Sequence, residues 1–160
     1  TVAVQDARVF VRRQLARGHR YDYILLDAFT GEYIPEHLMT KEFLTEIKRL
    51  LTKDGVVVAN TFSSSRLYHH ESATYADVFG ELYTMRLPTS GNRIILGARS
   101  SNLPTKDILE QRANTLGSAL TPFGVALAAF PKYITDRVDW DSGAAVLTDQ
   151  YAPANLLNRP

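Results

Sequence analysis

There is no cysteine anywhere in the 160 residues. A disulfide framework and thiolate metal sites are thereby excluded, and the redox compartment is left open. Neither charge dominates: 18 basic against 17 acidic side chains leave a formal net charge of +1. That is too little to draw the chain electrostatically to nucleic acid or to an anionic membrane. Long apolar runs are also missing. The longest, Phe123 to Phe130, falls well short of the roughly 18–20 residues that span a bilayer, and Pro131 and Lys132 follow it. At the N-terminus, Asp6, Arg8, Arg12 and Arg13 interrupt the apolar residues, so no secretory signal is read. No nucleic-acid partner, no membrane contact from this segment and a cytoplasmic location are therefore expected.

What is present suits one folded domain. The composition is 45% hydrophobic, enough to build a core at this length. There is no initiator Met, and Thr1 to Val4 opens in mid-pattern as a strand, as a truncated or processed chain would. Strand-like and helix-like segments then alternate, which predicts an α/β fold with a mostly parallel sheet. Val2 to Val4 is a short strand ending at Asp6. Ala7 to Arg17 has helical spacing, with Gly18 as its stop. Tyr23 to Leu26 is a buried strand that ends at Asp27.

Thr40 caps the next helix, whose stripe is Phe43, Leu44, Ile47, Leu50 and Leu51, and Gly55 terminates it. Val56 to Ala59 is another buried strand. Ser64 to His70 reads as a polar loop, and Tyr75, Val78, Phe79, Leu82 and Tyr83 mark a further helix. Two last strands, Tyr83 to Leu87 and Ile94 to Ala98, form an antiparallel pair that closes the sheet. Beyond Arg99, Pro104 to Leu116 looks helical, Val125 to Tyr133 is ambiguous, and Val146 to Leu157 is an extended tail. Residues 1–100 are expected to form the α/β unit, with residues 101–160 a helical appendage and tail of the same domain.

Ligands of open α/β sheets bind beyond the carboxyl ends of parallel strands. Here the rule selects Asp6 and Ala7, Asp27 to Gly31, and Asn60 to Ser65. An acid at that rim can accept a hydrogen bond from an adenine amino group or take a proton from an amine. It can equally cap a turn or helix.

The run Tyr21-Asp22-Tyr23-Ile24-Leu25-Leu26-Asp27-Ala28-Phe29, with Ile34-Pro35-Glu36-His37-Leu38-Met39-Thr40-Lys41-Glu42-Phe43 and Asp54-Gly55-Val56-Val57-Val58-Ala59-Asn60, resembles the spermidine synthase family. The match extends to Gln5-Asp6-Ala7-Arg8, to Pro88-Thr89-Ser90-Gly91 and to Val146-Leu147-Thr148-Asp149-Gln150-Tyr151-Ala152-Pro153. Residues 101–145 add little to it. The resemblance implies the C-terminal portion of a Rossmann-like, S-adenosylmethionine-dependent methyltransferase fold. That fold is a three-layer sandwich whose mostly parallel sheet has an antiparallel last strand.

It also implies aminopropyl transfer from decarboxylated S-adenosylmethionine to an amine, with no metal. Asp27 matches the family's catalytic aspartate, and Asp6, with Ala7 beside it, matches the adenine contact. Other S-adenosylmethionine-dependent transfer, such as methylation, and a non-catalytic assembly domain are the alternatives.

Three departures from the family pattern stand out. Thr30 occupies the place of a second acid that holds the distal ammonium of a polyamine, with Glu32 or Tyr33 as nearby substitutes. Pro88-Thr89 passes to Ser90-Gly91 where the family carries a tyrosine. No glycine-rich loop and no ribose-binding acid are found, and the fold would place both before Thr1. The strand ending at Asp6 would then lie two missing strands away from the one ending at Asp27. Three ways of closing that gap are expected: Val2 to Val4 beside Tyr23 to Leu26, a homodimer, or pairing with a missing N-terminal segment.

Other clusters carry less. His69-His70-Glu71 has no recognised ligand spacing, and Ser63-Ser64-Ser65 lacks the context of a nucleophile elbow. Asp136, Asp139 and Asp141 around Trp140 lack the glycine and distal glutamate of a calcium loop, so a solvated turn is expected. Tyr68, Tyr75 and Tyr83 are expected to pack a helix face.

Overall fold

A five-stranded sheet and four α-helices are present in the computed structural model of the protein, which describes residues 2–29, 34–63, 67–88 and 90–151. The order along the chain is α1 (Ala7–Ala16), β1 (Tyr21–Leu26), α2 (Lys41–Leu50), β2 (Leu51–Phe62), α3 (Leu67–Phe79), β3 (Leu82–Arg86), β4 (Asn92–Ala98), α4 (Lys106–Leu120) and β5 (Ile134–Thr135). In the sheet the order is β1-β2-β4-β3-β5. β1 and β2 are parallel, whereas β4 is antiparallel to both its neighbours. β3 therefore points the same way as β1 and β2. β4 lies inside the sheet and does not close its edge as the sequence predicts; the edge beyond β3 is the two-residue β5, itself antiparallel to β3.

The helices form where caps and apolar stripes coincide. Asp6 Oδ1 accepts from the Val9 amide at 3.0 Å to start α1, and Gly18, at φ +72°, follows its end. Thr40 Oγ1 accepts from the Phe43 amide at 3.3 Å to start α2, which buries Phe43, Leu44, Ile47 and Leu50. Each such side chain contributes about 1.5–3 kcal/mol on leaving water. These residues meet Ile24 and Leu26 of β1, Val57 and Ala59 of β2, and Ile95 of β4 in one core. α3 approaches the sheet over Gly97, where a β-carbon would stand 3.0 Å from the Phe79 ring.

Several expectations are corrected. Val2 to Val4 is not a strand: Val2 and Val4 are 90% and 98% exposed. With no strand alongside, its backbone groups gain nothing from extended pairing. Nor does this segment move in beside β1. Gly55 is not a helix stop. α2 ends at Leu50 and β2 begins at Leu51, with Gly55 inside a register break opposite Tyr21 and Tyr23. A β-carbon there would lie 2.9 Å from the Tyr21 carbonyl oxygen, so close backbone approach is what requires glycine.

Leu67 to His70 belongs to α3, because Leu67, Tyr68, Glu71, Ser72, Tyr75 and Phe79 form its buried face. Tyr83 lies on β3, not on a helix. Val125 to Tyr133 resolves into short 3-10 turns at Leu127–Ala129 and Pro131–Tyr133.

The C-terminal tail crosses the helices as a strap. The Leu147 side chain is fully buried, its amide donates to Thr74 Oγ1 at 2.9 Å, and its carbonyl accepts from the Lys41 amide at 2.8 Å. Asp149 accepts two hydrogen bonds from the Arg8 guanidinium, both at 2.7 Å, and a third from Thr40 Oγ1. Two segments 141 residues apart, Gln5-Asp6-Ala7-Arg8 and Thr148-Asp149-Gln150-Tyr151, are thus joined directly. Among the described residues no helix is long and apolar enough to cross a membrane.

Strand alternation puts Tyr23 and Leu25 on the sheet face opposite the core, 71% and 73% exposed. Tyr83, on the same opposite face, is buried, and its hydroxyl donates to the Pro104 carbonyl at 2.7 Å. The appendage therefore reaches this face at the β3 end and leaves it bare at the β1 end. A groove of about 1000 Å³ runs along β1, bordered by Val4, Phe10, Tyr23 and Leu25 among others.

Candidate active site

The carboxyl ends of β1 and β2 meet at one rim. Because Leu26 is in register with Ala59, the next residue on each strand brings Asp27 beside Asn60. The Asn60 amide nitrogen donates to Asp27 Oδ1 at 3.0 Å. Asp27 Oδ2 has no partner among the described residues, and the residue is exposed. Two residues further on, Phe29 and Phe62 pack edge to face, 5.1 Å between centroids. A carboxylate with one oxygen tethered and one free, next to an apolar wall, can accept a proton from a bound amine.

Asp6 is tied down more fully. One oxygen caps α1 and the other meets His37 Nε2 at 2.8 Å. The Val9 amide, then His37, hold its carboxyl below the usual carboxylate range. The sequence left open whether Asp6 caps a helix or contacts a ligand, and the capping contact is the one present. Each carboxylate oxygen has a second lone pair, so a further donor such as an adenine amino group still fits. Ala7, the first residue of α1, borders both the groove and a cavity of about 40 Å³ that Leu26, Ala28, Asn60, Glu71 and Tyr75 also border. Ala7 and the residues flanking Asp27 therefore converge. Thr30, Glu32 and Tyr33, expected at the amine, lie outside the described residues.

Beneath the rim sits a buried ion pair that sequence reasoning missed. Arg93 is fully buried and donates to Glu71 Oε2 at 2.9 Å, to Thr61 Oγ1 at 3.1 Å and to Ser72 Oγ at 2.5 Å. Its guanidinium also lies 4.1 Å from the Tyr68 ring centre. Burial pushes the Glu71 carboxyl up to about 7, against the pull of Arg93.

His69 accepts from the Asp141 amide at 2.9 Å, and His70 Nδ1 lies 2.8 Å from the Ala145 carbonyl oxygen. The His69-His70-Glu71 run thus anchors the appendage and the core. The acidic turn is more than solvated: Asp139 accepts from the Tyr68 hydroxyl and pairs with Arg86 at 3.1 Å.

Strand order and the rim at the carboxyl ends of β1 and β2 define the class as an α/β fold. Human Methyltransferase-like protein 13, solved in complex with SAH, superposes with a TM-score of 0.64 at 22% identity, covering 98% of this chain and 66% of that one. A probable spermidine synthase from Corynebacterium glutamicum gives 0.63 at 24% identity, covering all of this chain and 57% of that one. At such identities the likeness is one of fold.

Residues 1–92 match the spermine/spermidine synthase domain, and the chain belongs to that family. It is 57% identical over 153 residues to a polyamine aminopropyltransferase from Vibrio vulnificus (strain CMCP6), covering 95% of this chain. The chain spans about half (51%) of the length of that relative.

Proposed function

We propose that this chain carries the amine-side part of an aminopropyltransferase site, with Asp27 as the base. The observation that supports it most is the placement of Asp27 at the end of β1, with Oδ1 held by Asn60 and Oδ2 free. The acceptor is a small-molecule amine, and the donor is decarboxylated S-adenosylmethionine. The amine nitrogen attacks the propyl carbon, forming the C–N bond as the C–S bond breaks. The bonding pair passes to sulfur, releasing neutral methylthioadenosine, and the proton of the new ammonium goes to Asp27 Oδ2. The sulfonium is already a good leaving group, so the protein's task is alignment and proton removal.

In this reading Asp6 and Ala7 face the adenine, and Thr30, Glu32 and Tyr33 face the rest of the amine. Residues 1–100 supply the transferase unit, and 101–160 its appendage and tail. In this reading no metal takes part. The site works in the cytoplasm without nucleic acid. The bare edge of β1 takes a further strand, from a second copy or from an N-terminal segment such as the longer relatives have room for.

The test is an assay of methylthioadenosine release from decarboxylated S-adenosylmethionine with a panel of amines, run beside methyl transfer from S-adenosylmethionine. Amine-dependent release supports the reading. Methyl transfer alone, or neither, overturns it.

A further inference from the structure

Asn60 is an unusual choice for its place. Asparagine is disfavoured in strands, and Val56, Val57, Val58 and Thr61 surround it in β2. Its amide orientation is fixed by chemistry, since the carboxylate of Asp27 can only accept and the nitrogen must face it. The amide oxygen then points elsewhere, buried and without a hydrogen-bond partner among the described residues. A buried acceptor left unpaired is costly, and such exceptions call for an explanation. A purely structural side chain here would be apolar or β-branched like its neighbours. What the asparagine gains is the 3.0 Å contact to Asp27.

We infer that Asn60 is a positioning residue for the reaction. By holding Oδ1 it fixes the carboxylate plane and directs Oδ2 at the attacking nitrogen. It touches neither substrate and acts through Asp27. The inference rests on the proposed role of Asp27 and adds the residue that aims it.

Asn60→Ala removes the tether and Asn60→Asp replaces the donor by a second carboxylate. In the complete transferase, Asn60→Ala is expected to lower kcat by about 10–100-fold with KM within twofold, because a misplacement of roughly 1 Å is enough for such a loss. In Asn60→Asp two carboxylates share one contact and cannot both ionise freely, so the acid limb of the pH–rate profile moves to higher pH by about one unit or more. A structural role alone would lower the stability of Asn60→Ala and leave its kcat per folded molecule unchanged. Unchanged kcat and an unchanged acid limb in the two variants would overturn the inference.

If the wild-type protein shows no aminopropyl transfer, the proposed function fails separately. The contact is then read from the Asp27 carboxyl-carbon NMR titration. A curve that differs in the variants supports the tether, and identical curves in wild type and both variants refute it.

Discussion

At the scale of single residues, two carboxylates sit in opposite surroundings. Asp27 is exposed and tethered at one oxygen, whereas Glu71 is 3% exposed and faces a fully buried arginine. Glu71 titrates near 7 in the folded chain against an ordinary 4.5. Between those values the native state binds a proton that the unfolded chain releases, so the Glu71 contribution to stability is fully present below 4.5 and is lost as pH rises through 7. Glu71→Gln keeps an acceptor for Arg93 and removes the titration. Melting curves from pH 5 to 8 are expected to fall more steeply with pH for wild type than for the variant; parallel slopes would contradict this.

Asp27 was legible in the sequence because it ends an apolar strand, and Asn60 lay inside a rim segment chosen by the same rule. Their contact was not legible, since it depends on the register of Leu26 with Ala59. The pairing of Arg93 on β4 with Glu71 on α3 was invisible for a related reason: a charged residue on a strand or helix looks solvent-facing until another element covers it.

Among elements, local signals predicted the helices well and the breaks between them poorly. Thr40 as a cap and Gly18 as a stop follow from propensity alone. Gly55 was misread because a glycine after an apolar stripe also suits a helix end, and only the neighbouring Tyr21 carbonyl shows the tight approach. Val2 to Val4 has strand composition but no neighbour, and pairing decides strands more than propensity does.

The C-terminal strap shows why Gln5-Asp6-Ala7-Arg8 and Thr148-Asp149-Gln150-Tyr151 occur together: Arg8 and Asp149 are ion-pair partners, and Arg8 holds the Asp149 carboxyl below its ordinary range. Asp149 is 40% exposed at its side chain, so solvent discounts the pair. Arg8→Met is expected to cost about 1–2 kcal/mol in urea denaturation. It is also expected to speed proteolysis between residues 136 and 146. Because the Asp149 carboxyl is depressed, the wild-type advantage is present above the ordinary value of 3.8 and is lost as pH falls below it. Equal midpoints in wild type and variant at pH 7 would remove the strap from the stability account.

For the molecule as a whole, the arrangement is lopsided. The rim, the core and the strap lie toward one side, whereas the groove of about 1000 Å³ runs along β1, where Tyr23 and Leu25 are exposed. None of the nine glycines stands in a glycine-rich run. Calorimetry of this chain with methylthioadenosine is expected to give a Kd no tighter than about 1 mM, or about −4 kcal/mol; micromolar binding would contradict this expectation. Edge pairing also predicts that the isolated chain self-associates through β1, and sedimentation equilibrium finding only monomer at about 100 µM would contradict that.

The central claim is that Asp27 removes the amine proton, and Asp27→Asn tests it most directly because the amide keeps the shape and loses the base. The account predicts a fall in aminopropyl transfer of about 10²–10⁴-fold with the melting temperature unchanged. Full transfer activity in that variant would contradict it.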